Sequence, residues 1–204
     1  MPVNIIRNLG DGSNKTVFES DGTLQFTGNA TVWNDLRIDA ISARTGGAAP
    51  TDETGFRGNA NFLARNFVNN QADEIQFQVQ LDHSIKLNST IYPHFHFSPW
   101  VTNAGTVNVK FIFEYYWTNY QSVFPVSPST LDLTDTWTGD QRWYHRIAKN
   151  NTGISMTNDI SSIMKCRLYR DNTVANNFPG SLTGLYFDIH FEVDTIGSRT
   201  DFIK

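Results

Sequence analysis

The chain has 204 residues with 16 Lys plus Arg against 20 Asp plus Glu, a formal charge of −4. No basic field able to hold a phosphate backbone results, and nucleic acid is not an expected partner. A single cysteine, Cys166, excludes an internal disulfide framework and a Cys-rich zinc site, and no run of about 18 apolar residues offers a membrane-spanning helix.

Only 18% of residues are charged and 13% are aromatic. With Asn and Thr as the main polar residues, that balance favours strand and turn over helix. The opening MPVNIIRNLGDGSNK lacks the apolar stretch of a secretory leader.

In chain order, residues 1–30 read as an N-terminal arm with the hairpin signal FESDGTLQF. Short strands are expected at 16–20 and 24–27, with Phe18, Leu24 and Phe26 as the residues that dock the arm for assembly. Residues 31–204 read as the sandwich domain. Within it SARTGGAAPTDETGFRGNAN, at about 42–61, reads as a long exposed loop.

A strand is expected at 61–67. From Glu74 the run EIQFQVQL alternates strictly, with Ile75, Phe77, Val79 and Leu81 on one face and glutamines on the other. Another follows at 91–97. The run VNVKFIFEYYW from Val107 places Val109, Phe111, Phe113, Tyr115 and Trp117 on one face. Strands at 142–148 and 164–170 flank a short helical turn expected over 158–164, and LYFDIHFEV from Leu185 closes the pattern with Asp188, His190 and Glu192 outward. The fold class is all-β: an antiparallel, jelly-roll-like sandwich of eight or more strands with an N-terminal hairpin arm.

Histidines form the sharpest chemical constellation. In IYPHFHFSP, His94 and His96 lie two apart on a strand and share a face. With His190 and Glu114, each on the polar face of its own strand, they are the candidate metal ligands. An ion-paired His/Glu face, packed beneath the arm or between subunits, gives the same string, and ordered burial of the histidines is the plainer reading. No cofactor is expected.

Other enzyme signatures are absent: there is no GxSxG, P-loop, GxGxxG or HExxH. The acid pairs Asp52 with Glu53 and Asp132 with Asp135 lie in apparent loops whose spacing does not establish a glycosidase geometry. No catalytic residue is assigned. Aromatics are dense between 100 and 145, and Trp137, Trp143 and Tyr144 are the candidates for stacking on a sugar, Trp137 being the best candidate for exposure.

Several phrases occur together in a specific order: DGTLQFTGNATVWNDLRI (21–38), FQVQLDHSIKLNSTIYPHFHFSP (77–99), FEYYWTN (113–119), SSIMKCRLYRD (161–171) and HFEVDTIGSR (190–199). In these the chain, from about Gly22 onward, resembles a family of small structural proteins of tailed bacteriophages. The resemblance implies a non-enzymatic virion component assembled in the host cytoplasm, either a capsid decoration (cement) protein or a neck or tail component. Its expected partners are copies of itself, a trimer being favoured by fold-level analogy, and other virion proteins such as major capsid or neck/tail proteins. The alternative is a carbohydrate- or receptor-binding module on a virion appendage.

Overall fold

Alternation of apolar and polar residues decides the architecture, because each strand can bury only one face. The computed structural model describes residues 8–20, 22–69 and 72–204. The first seven residues of the expected arm lie outside the described residues. Three strands come first: β1 (Asn8–Asp11), β2 (Asn14–Phe18) and β3 (Leu24–Thr27). Next come β4 (Val32–Asp39), β5 (Arg44–Thr45), β6 (Thr51–Phe56), β7 (Asn59–Phe67), β8 (Glu74–Gln80) and β9 (Thr90–Pro99). The remainder are β10 (Thr106–Thr118), β11 (Ser129–Thr138), β12 (Arg146–Lys149), β13 (Ile154–Ser155), β14 (Ile163–Arg170) and β15 (Leu182–Val193).

All but the first three strands form one antiparallel sheet that runs β5-β8-β14-β10-β11-β12-β9-β15-β7-β6, with β13 on β9 and β4 on β15. Where β11 meets β12 the ladder narrows to the single pair Thr134 with Lys149, and there the sheet curls back on itself. The result is a jelly-roll-like sandwich with β8, β14 and β10 facing β9 and β15. Rings close the gap between layers: Phe77 and Phe113 each lie 4.7 Å from Phe187, and Phe95 lies 4.7 Å from Phe111. Phe67, Phe95, Phe97, Phe111, Phe113 and Phe187 are all fully buried.

The runs at Glu74, Val107 and Leu185 form strands with the expected faces inward. In β15 the register slips between Gly184 and Tyr186, so Leu185 is an extra residue. The slip lets Leu182 and Gly184 point inward before it, and Phe187, Ile189, Phe191 and Val193 after it. Gly184 lies beneath two rings: a Cβ there would stand 2.8 Å from both Phe67 Cε2 and Phe95 Cζ. Gly184→Val is therefore expected to destabilise the fold by about 1–3 kcal/mol through overpacking, measured by urea denaturation.

Three local expectations are corrected. The stretch 42–61 contains β5, β6 and the start of β7 in place of one long loop. Arg57 and Gly58, with φ of 55° and 82°, make the two-residue hairpin turn that joins β6 to β7. At the hairpin's base the buried Arg65 grips Asp52 with two hydrogen bonds of 2.7 and 2.8 Å. The helical turn expected at 158–164 is absent, because Ser161 takes a left-handed φ of 59° and β14 starts at Ile163. The arm is a three-stranded sheet, with β1 added to the anticipated hairpin.

This arm docks on its own chain. Phe26 N–H donates to the Asp194 carbonyl at 2.6 Å, Gln25 bridges to Thr195, and Phe26 packs against the core. Leu24 is half-buried, whereas Phe18, on the strand away from that seam, stays exposed. Among the described residues no helix is long and apolar enough to cross a membrane.

Candidate metal centre

Strands β9, β15 and β4 lie side by side, and their outward faces assemble the site. Pairing sets His94 opposite Asp188, and Asp188 in turn opposite Arg37; His190 is opposite Asp35. His96 is one step along β9 from His94 and pairs with Ile147 of β12. His94 and Asp188 are only 5% and 3% exposed although they point away from the core.

His94 Nε2 lies 3.8 Å and His96 Nε2 3.7 Å from Asp188 Oδ2. Neither nitrogen has a hydrogen-bond partner, and neither does Asp188 Oδ1. Each imidazole is held from its other side: His94 Nδ1 lies 3.0 Å from the Tyr92 carbonyl and His96 Nδ1 lies 2.6 Å from His145 Nε2. A carbonyl only accepts, so His94 carries its proton on Nδ1 and presents the Nε2 lone pair to Asp188.

Burial sets the charges. It pushes the His96 imidazole down to about 4, with His94, His145 and His190 adding repulsion to its charged form, and it lowers His94 in the same way. Both rings are neutral at pH 7. Burial also raises the Asp188 carboxyl. The Arg37 guanidinium, on an exposed side chain, lies 3.4 Å from Asp188 Oδ2 while holding Asp35.

Of the four residues expected to act together, the structure brings three near one another. His190 adjoins His94 with ring centroids 4.2 Å apart, but its Nε2 is engaged by Asp35 at 3.0 Å. Glu114 is elsewhere: on β10 in the other layer it accepts from Arg167 Nη1 at 2.9 Å. Alternation had placed it on a polar face without showing which sheet layer that face belonged to. Asp188, His145, Asp35 and Arg37 complete the constellation, and the outward run Asp188-His190-Glu192 was the signal for the first of them.

The aromatic candidates do not form a platform. Trp137 is a core residue at 5% exposure, packed on Phe97 and Phe178 with the Arg146 guanidinium 4.7 Å above it. Its segment is strand β11, whose Leu131, Leu133 and Trp137 turn inward. Trp143 is wedged between Trp100 and the hairpin residue Phe56, at 4.7 and 5.4 Å, which leaves Tyr144 as the exposed ring of the three. The acid pairs are engaged too. Asp52 is held by Arg65, Glu53 accepts from Asn66, Asp132 pairs with Lys110 at 2.8 Å and Asp135 with Arg146 at 2.6 Å.

No family model matches the chain, and no curated protein matches it. Solved structures similar to it include a carbohydrate-binding module CBM36 in complex with calcium and xylotriose, at TM-score 0.38 and 14% identity over 77% of this chain and 98% of that one. A CBM35 from Cellvibrio japonicus Abf62 gives 0.42 and 10% over 82% and 100%. A chain of the infectious bursal disease virus Gx strain gives 0.36 and 12% over 79% and 32%. At these values no ligand or role passes from them to this chain.

Proposed function

We propose that the protein is a non-enzymatic structural component of a tailed-bacteriophage virion, a capsid decoration or neck/tail protein that assembles with copies of itself. The observation that carries this reading is the β6–β7 hairpin. Only Arg65–Phe67 of β7 pair with β15, so the hairpin runs on past the sheet with Phe62 and Leu63 59% and 54% exposed. Between β10 and β11, Val126 is 99% exposed as well. A hydrogen-bonded hairpin carrying adjacent apolar side chains that its own chain leaves uncovered suits insertion against a neighbouring subunit. The resemblance of those phrases, in their order, to small tailed-phage structural proteins supports the same reading.

Light scattering on the purified chain is expected to give a closed ring, a trimer first. The double variant Phe62→Ser, Leu63→Ser is expected to become monomeric while keeping the parent's circular dichroism spectrum, since the chain's own fold leaves both side chains uncovered. A parent that stays strictly monomeric at high concentration and does not bind purified capsids or tails would overturn the proposal.

A further inference from the structure

We infer that His94, His96 and Asp188 bind one divalent transition-metal ion on the outer face of the β9–β15–β4 sheet. Three ligand atoms, two imidazole nitrogens and a carboxylate oxygen, lie within 4.8 Å of one another. A zinc ion about 2.0–2.1 Å from each ligand in a tetrahedron separates them by about 3.3 Å; the two edges to Asp188, at 3.7 and 3.8 Å, need to close by a few tenths of an ångström, and the edge between the imidazole nitrogens, within 4.8 Å, closes by rotation of the rings.

Buried polar atoms without partners are rare because each costs the loss of its water. Here His94 Nε2 and His96 Nε2 are both in that state and both face the Asp188 carboxylate, whose Oδ1 is also without a partner. A cation bound between them satisfies both nitrogens and the carboxylate together, and His94 Nδ1, committed to the Tyr92 carbonyl, leaves the Nε2 lone pair as its ligand. That carbonyl and His145 supply the outer support that metal-binding imidazoles ordinarily have, and His96 would bind in the tautomer whose Nδ1 donates to His145, which frees its Nε2 lone pair.

Two imidazoles and a carboxylate select zinc or a neighbouring first-row ion over calcium or magnesium, which prefer all-oxygen shells. A cavity of about 370 Å³ bordered by Arg37, His96, His145, Tyr186 and Asp188 leaves the fourth position open to water. Arg37 is the built-in competitor. Its guanidinium offsets part of the Asp188 charge, and being exposed and also paired with Asp35 it can withdraw when an ion arrives.

The test is calorimetric titration of the tag-free, chelator-stripped full chain with zinc, together with the visible spectrum of the cobalt(II) form. One equivalent is expected, with the intense visible bands of four-coordinate cobalt. His96→Ala and Asp188→Asn should weaken zinc by more than the factor of about 10–100 that loss of an outer-shell partner costs, and His145→Ala by about that factor. Glu114→Gln should change nothing. Circular dichroism in chelator checks that each variant folds. If the buried variants do not, the exposed Arg37→Gln decides, because removing the competitor should tighten zinc binding severalfold. Absence of stoichiometric zinc, affinity undiminished in Asp188→Asn, or no tightening in Arg37→Gln would overturn the inference.

Discussion

Arg170→Met is expected to destabilise the protein by about 3–5 kcal/mol. Arg170, on β14, is the bulkiest fully buried side chain. Its Nη1 donates to the carbonyls of Phe67 and Gly180 at 2.9 and 2.8 Å, and its Nη2 donates to that of Phe178 at 2.6 Å. These carbonyls belong to the end of β7 and to the segment leading into β15, so one planar guanidinium ties two stretches of chain to β14.

Burial lowers its pKa to about 10, and nearby Asp73 opposes the drop, so the group stays charged at neutral pH. Methionine fills much of the volume but takes the guanidinium donors from the buried carbonyls of Phe67 and Phe178 and the half-buried one of Gly180, a loss of about 1–3 kcal/mol for each buried group before relaxation. Lysine is not a remedy, because a point ammonium lacks the fork that reaches all three. Urea unfolding measures the effect: the midpoint should fall with the slope unchanged. A loss below about 1 kcal/mol would mean that water takes over those carbonyls.

Phe111→Ala is expected to cost a similar 3–5 kcal/mol for a different reason. Phe111 sits where the two layers meet, with Phe67, Phe95 and Phe97 rings at 5.5, 4.7 and 6.0 Å. Truncation opens a cavity walled by rings anchored on β7 and β9, which cannot collapse into it. Phe111→Leu should recover part of the loss. Adding Phe95→Ala to Phe111→Ala should cost less than the sum of the two, because the second deletion removes a wall of a cavity already formed. Strict additivity would show that the two rings do not share packing.

How much of this was legible in the sequence varied strand by strand. β8, β10 and β15 announce themselves, since their inward residues are Ile, Phe, Val and Leu at every second position. β4 and β11 do not. VWNDLRID and STLDLTDTWT are crowded with Asp, Asn and Thr, residues that signal turns when read locally. Their charges are spent on partners far along the chain: Asp35 on His190, Arg37 on Asp188, Asp132 on Lys110, Asp135 on Arg146. Misreading β11 as loop is what made Trp137 look exposed.

For the site, spacing put His94 and His96 on one face and Asp188 and His190 on another. That these faces adjoin, and that β4 brings Asp35 and Arg37 beside them, follows from the order of strands in the sheet, which periodicity does not encode. Glu114 was misplaced for the same reason.

The placement of β15 governs how the chain can be made. It has β9 along one side and β7 then β4 along the other, so it fills the middle of its layer although its residues are translated after those of every other strand. Until residue 193 has left the ribosome, β4, β7 and β9 each have an open edge, and Phe67, Phe95 and Phe113 lack their cover. Folding of this layer therefore waits on β15, is dominated by contacts between distant parts of the chain and is correspondingly slow. Interrupted synthesis yields sticky, unpaired edges in place of a smaller stable domain, so a ribosome that stalls late produces aggregation-prone material.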